Sequence, residues 1–306
     1  MDATSLSVES ANIAPRESAW QRLRRNWSVR LGGGAMLVLL FVALAAPWLG
    51  TVDPSLFDAA SRDLRPGQAG EIMTLEGETL KHTFLMGSDS FGRDVYSRVV
   101  YGARVSLLVG IAAALLSLAF GIVFGLSAGY LRWLDGPLMR VMDGLMAIPA
   151  ILLAIALVAL WRGSILTVVT AIAITEIPRV TRLVRSLVLS IREEPFVEAA
   201  VSLGTPVPKI MFGHILPNCV APLLVQGTYI CASAILVESI LSFLGVGLPP
   251  DIPTWGNIMA EGRVQFMAYP HNVFFPGVLL ALCVLAVNIL GDGLRDTLDP
   301  KMAKRV

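Results

Sequence analysis

Few side chains in this 306-residue chain could do chemistry, and they are scattered. His82, His214 and His271 lie far apart, and no His-x-Glu or His-Glu-x-x-His spacing sets up a zinc site. Cys219, Cys231 and Cys283 form no Cys-x-x-Cys pair, so they read as small packing residues. A Gly-x-x-x-x-Gly-Lys-Ser/Thr phosphate loop is missing, and Gly32, Gly33 and Gly34 have no lysine after them, so the chain is expected not to bind ATP itself. What remains is a set of carboxylates inside apolar segments: Asp143, Glu176, Glu238 and Asp292. Charges in such places are costly and face a bundle interior or a water-filled path. Glu238 lies deepest and reads either as a conduit or gate position or as a structural hydrogen bond to a neighbouring helix. Asp143 and Glu176 are further candidates for the path, although Asp143 and Asp292 lie near helix ends where snorkelling and capping suffice.

The elements that position these groups follow from composition. With 55% hydrophobic residues, 15% charged residues and a mean hydropathy of +0.69, the chain cannot hide its apolar surface in one globular core. Roughly 20 apolar residues cross a bilayer as a helix. Six runs qualify, at about Leu31 to Leu49, Val105 to Tyr130, Leu138 to Leu160, Ile165 to Ile177, Val220 to Leu244 and Phe274 to Leu294. The fourth is short, but Val180, Leu183, Val184, Leu187 and Val188 continue its helical spacing, joined by Arg179, Arg182 and Arg185. One helix is therefore expected to leave the membrane into the positive compartment. Residues 1–28 read as a partly disordered cytoplasmic tail, anchored by Arg22, Arg24, Arg25 and Arg30, and not as a cleaved signal. Of 24 Lys and Arg, 16 fall on the side so defined as cytoplasmic; outside the long 51–104 loop only 2 fall on the other. Both termini are thus placed in the cytoplasm. A net charge of +1 with no basic patch argues against a nucleic-acid partner.

Between the fourth and fifth runs, Phe196, Ala199, Ala200 and Leu203 recur at helical spacing. Pro195 can open that helix and Gly204 can close it in the left-handed conformation, after which Thr205 and Pro206 read as N-cap and first residue of a second short helix toward His214. The alternative is an interfacial helix resting on headgroups. In the loop from Thr51 to Arg104, residues 74–80 suggest a hairpin turning at Gly77, against the alternative of a disordered linker. Val95, Val99 and Val100, with Tyr96 beside them, suggest an amphipathic helix along the outer interface, with Arg93, Arg98 and Arg104 reaching toward headgroups. Gly121, Gly125 and Gly129 form a small-residue seam for a close helix neighbour, and Pro149 and Pro178 are kink candidates.

Glu198-Ala199-Ala200, then Gly204, then Leu216-Pro217 thirteen positions beyond the glycine, is similar to the EAA motif of permease subunits in bacterial ABC importers. His214 stands where that family often has isoleucine. Gly92-Arg93-Asp94-Val95, Ser97-Arg98 and Tyr101-Gly102-Ala103-Arg104 resemble the C-type subunit of the dipeptide and oligopeptide branch. Trp255-Gly256-Asn257, residues 290–296 and Leu298-Asp299-Pro300 point the same way. The resemblance implies an all-α membrane protein of the bacterial inner membrane: six transmembrane helices in the type I ABC importer permease fold, with a cytoplasmic coupling helix and an extracytoplasmic loop lobe. Its divisions would be a 1–28 tail, a first transmembrane helix at 29–50, an extracytoplasmic loop at 51–104, a five-helix core at 105–295 with the coupling loop at 193–218, and a 296–306 tail. Phe196, Glu198, Ala199, Ala200, Leu203, Gly204, Leu216 and Pro217 would then receive force from an ATPase. Implied partners are a sister permease, two ATP-binding subunits that hold ATP and Mg, and an extracytoplasmic solute-binding protein. The implied cargo is di- or oligopeptides, with a nickel chelate, glutathione or an opine conjugate as alternatives. An ion-driven secondary transporter using Glu238 and Asp143 is the reading from another class, and an intramembrane enzyme a third; no internal repeat supports the former.

Overall fold

The structure is a computed structural model describing residues 19–74, 77–161 and 163–298. The expectations for the extreme tails, for Leu75 and Glu76 in the hairpin turn and for Asp299-Pro300 lie outside these residues.

A short helix α1 (Ala19–Arg25) is followed by α2 (Trp27–Leu44), the first long apolar helix. Asn26 caps α2 by accepting from the Ser28 and Val29 amides, and its Nδ2 donates to Thr297 Oγ1 at 3.2 Å, tying the two ends of the chain together. The hairpin is β1 (Gln68–Met73) with β2 (Thr79–Phe84), antiparallel, and Gly77 adopts φ +82° beside its turn. Then comes α3 (Val95–Tyr130), 36 residues in one piece, so the separate interfacial helix expected at its start does not exist; those residues extend the second span. Asp94 caps it, accepting from Ser97 N.

The third run breaks. It forms α4 (Arg132–Ala147) and α5 (Ala150–Trp161), bent by 90° at Pro149, because the residue before a proline is driven to extended backbone and Ile148 sits at φ −91°, ψ 130°. Pro178 produces no such break: α6 (Ile165–Ile191) runs on as one helix of 27 residues. It is followed by α7 (Pro195–Ser202), α8 (Val207–Ile210), a π turn at Met211–Ile215, α9 (Leu216–Phe243), α10 (Trp255–Gly262) and α11 (His271–Leu298). Among the described residues, by length and composition, 4 helices can cross a membrane, or 5 if α4 and α5 are one broken span; α6 carries too many charges to count.

The centre of the molecule is the α3–α6 pair. Gly121, Gly125 and Gly129 on α3 face Val180, Val184 and Val188 on α6, and a Cβ built on Gly125 would stand 2.5 Å from the Val184 Cβ and 2.8 Å from the Thr181 carbonyl oxygen. The small-residue seam is thus filled from within the chain. Gly32 does the same for α2 and α11, approaching the Leu290 backbone.

The arginines before and within α3 do not reach for headgroups as expected. Arg98 is 1% exposed, and its Nη1 donates to Asp89 Oδ2 at 2.7 Å and Glu261 Oε2 at 2.6 Å. Arg93 donates to the same two carboxylates. Two guanidinium groups thereby neutralise two acids in a buried cluster that joins the start of α3 to the end of α10. Arg104 turns back to the Ala43 and Leu44 carbonyls that end α2. These partners satisfy the last-turn carbonyls of a helix, which its own amides cannot reach.

Candidate functional site

The segment joining α6 to α9 is helix, bend, helix. Pro195 occupies the first helical position after Glu194, where its missing N–H costs nothing. Leu203 is the C-cap and Gly204 follows at φ +73°. Gly204 N donates to Val201 O at 2.9 Å and Thr205 N to Ala200 O at 3.1 Å, the paired bonds of a Schellman stop. Nothing lies within 4 Å of a Cβ built on Gly204, so the left-handed backbone, not crowding, is what requires glycine there. The second helix begins one residue later than expected: Pro206 is the N-cap, α8 starts at Val207, and Thr205 makes no side-chain cap.

Spacing placed Phe196, Ala199, Ala200 and Leu203 on one face, and the structure divides that face. Val197 and Ala200 are buried in the core with Ile210, Ile215 and Cys219, whereas Phe196, Ala199 and Leu203 are exposed, Leu203 by 85%. Val197 is the anchor that counting from Phe196 passes over. Glu198 is exposed in the first turn, where an acidic side chain complements the helix dipole. A cavity of about 300 Å³ opens beside it, lined by Tyr130, Arg132, Arg192, Glu193, Glu198 and Val201.

Beyond α8 the chain winds as a π turn, with Leu216 N donating to Met211 O. Pro217 brings no N–H to the helix it opens, and Asn218 Nδ2 donates to the His214 carbonyl at 2.7 Å. Leu216 is half-buried and Pro217 exposed. The loop is therefore continuous with α9.

Arginines of α6 bind the elements alongside. Arg185 makes a two-pronged pair with Asp135 on α4 at 2.5 and 2.7 Å, and Arg182 Nη2 donates to Asp143 Oδ1 at 2.5 Å. Arg179 Nη1 donates to the buried Glu176 carboxylate at 2.8 Å. Glu238 is 0% exposed and stands apart from these pairs, accepting from Ser242 Oγ at 2.8 Å and Ser239 Oγ at 3.4 Å. Asp292 is exposed near the end of α11. Gly125-Leu126-Ser127-Ala128-Gly129 spells a nucleophile-elbow string, yet it lies inside continuous α3 with Ser127 Oγ bonded to Val123 O at 2.7 Å, not on a strand-to-helix turn. Among the described residues no three His, Cys, Asp or Glu side chains converge as a metal site.

Comparison with known proteins agrees with this architecture. Residues 121–304 match the family described as binding-protein-dependent transport system inner membrane component, and residues 15–66 match the N-terminal TM domain of oligopeptide transport permease C. A probable peptide ABC transporter permease protein of Sinorhizobium fredii is 45% identical, covering 98% of this chain and 99% of its own. The dipeptide transport system permease protein DppC of Alkalihalophilus pseudofirmus is 40% identical over 95% and 91%. The glutathione transport system permease protein GsiD of Salmonella typhimurium is 41% identical over 94% and 91%. An inward-facing structure of the MetNI methionine ABC transporter superposes with a TM-score of 0.53 at 17% identity, covering 66% of this chain and 97% of that one, a likeness of fold alone. The chain belongs to the family of binding-protein-dependent transport system inner membrane components and is the permease component of an ABC transporter.

Proposed function

We propose that this permease imports di- and oligopeptides, with the 193–218 segment as its coupling loop. The carrying observation is the divided face of α7: Val197 and Ala200 lock the helix to the bundle while Phe196, Glu198, Ala199 and Leu203 are offered outward. A helix of this kind can take a push from a docked protein and pass it to α6 and α9, biasing a two-state arrangement of the bundle. The pushing partners are two ATP-binding subunits, which hold the ATP and Mg. A sister permease supplies the other half of the path, and an extracytoplasmic solute-binding protein delivers cargo to the end that carries the hairpin. In this reading six crossings, including bent α4–α5 and charged α6, leave both termini in the cytoplasm. Asp143 and Glu176 stand beside the path through their arginine partners, and Glu238 stabilises the α9–α10 junction from within. The peptide cargo is supported by the names of the relatives, which include peptides, dipeptides and the tripeptide glutathione.

Gly204→Val tests the coupling. A β-branched residue at φ +73° costs about 1–2 kcal/mol, enough to open the bend while the long helices still insert. Transport and substrate-stimulated ATP hydrolysis by the reconstituted complex are expected to collapse together. Wild-type rates of both would overturn the assignment.

A further inference from the structure

Beyond Leu166, every exposed residue of α6 is polar: Arg179, Arg182, Ser186 and Ser190. They recur every three or four residues and so share one face, which half-buried Thr175 extends. On α3 the contrast is complete, for from Leu108 to Val123 its exposed residues are Leu108, Ile111, Leu115, Ala119, Phe120 and Val123. Hydrocarbon suits the second surface and disfavours the first, so the open face of α6 suits water or a polar neighbour and not lipid. Counted from Ile165, Arg179 lies about 21 Å along α6 at 1.5 Å per residue, a shorter run than the roughly 30 Å of a hydrocarbon core.

The surroundings of Arg179 are built. Its guanidinium stands 5.4 Å from the centre of the Tyr229 ring on α9, and Glu176, whose side chain is 7% exposed, accepts from Nη1. The Arg179 side chain itself is 45% exposed. Glu176 occupies one nitrogen of a planar fork with five N–H donors, leaving the fork's geometry suited to a second carboxylate. One turn before Tyr229, the buried Nε2 of Gln226 has no hydrogen-bond partner among the described residues.

We propose that Arg179, held by Glu176 and Tyr229, is a carboxylate-binding station on the translocation path, which takes the terminal carboxylate of a peptide in transit. This rests on the peptide-import reading. Short peptides of any sequence share that group, so one station serves side chains of every kind. Glu176 keeps the grip weak, since a carboxylate already paired at 2.8 Å offsets the charge that would otherwise trap the cargo. Arg179 and Tyr229 also stand on the two helices that leave opposite ends of the coupling segment, so a displacement of α7 changes their separation and releases what they hold.

The test uses the complete transporter in proteoliposomes, with Ala-Phe and its C-terminal amide supplied at matched occupancy of the binding protein. The readout is the ratio of free-acid to amide uptake, in which the binding protein's own preference cancels between variants. Arg179→Gln is expected to lower that ratio about tenfold, the size of a lost charge-assisted hydrogen bond, with acid uptake falling further than amide uptake. Arg179→Lys should retain most of the ratio, and Tyr229→Leu should lower it about threefold by removing the ring under the cation. If Arg179→Gln does not assemble, Tyr229→Leu decides by the same ratio. An unchanged ratio, or an equal loss of acid and amide such as a contact with the sister permease would give, overturns the station and leaves peptide import standing. A wild-type complex that carries neither peptide overturns the import reading and the station with it.

Discussion

The two ends of the α3–α6 rod are held by different physics. At the end where α3 begins, Arg93 and Arg98 close on Asp89 and Glu261 in a buried cluster, and Trp255 donates its Nε1–H to the Val99 carbonyl at 3.0 Å. At the end where α6 finishes, the bend after α7 is held by two backbone bonds at Gly204, two buried side chains and an open apolar surface. At the first end the charged groups find their partners within the chain. The second leaves Phe196, Ala199 and Leu203 exposed, as the coupling loop proposed above would need.

Variants can break or sharpen this contrast. The largest effect is expected from Arg98→Ala, which leaves Arg93 alone against two buried carboxylates and should cost about 3–5 kcal/mol, read as a fall in the thermal unfolding midpoint of the purified complex. A loss under about 1 kcal/mol, the range of an exposed pair, would mean that this end is not cemented by charge. Next is Trp255→Phe, which keeps an aromatic ring, removes the donor to Val99 and leaves a void where the rest of the buried indole packed. It should cost about 1–2 kcal/mol in the same measurement. The smallest change in stability, within about 0.5 kcal/mol, is expected for Leu203→Ser on the open end. That variant should nevertheless lose most substrate-stimulated ATP hydrolysis, and full activity would show that the exposed surface of α7 carries no partner.

Much of the open end is legible in the sequence because its signals are local. Pro195, Gly204 and the spacing between them describe a short helix with a defined start and stop, and both appear where backbone preference puts them. The inward anchor is less legible: Phe196 and Val197 are adjacent, both apolar, and only the neighbouring Ile210 and Ile215 decide which one is buried. The closed end could not be read at all. Arg98 meets Glu261, 163 positions away, and a positive charge near a predicted interface looks like a headgroup contact until its acid is found. The bend at Pro149 was visible as a candidate, yet Pro178 looked the same and sits in an unbroken helix.

The sequence by itself determined the apolar runs, the asymmetry of its basic residues, the glycine seam and the cap at Gly204, since periodicity, charge and backbone freedom act within a few residues. Only the tertiary structure decided which valines fill the seam, which acids neutralise Arg93 and Arg98, and that the open face of α6 is polar while that of α3 is not. Those outcomes depend on which helices lie side by side, and close packing settles that over the whole chain at once.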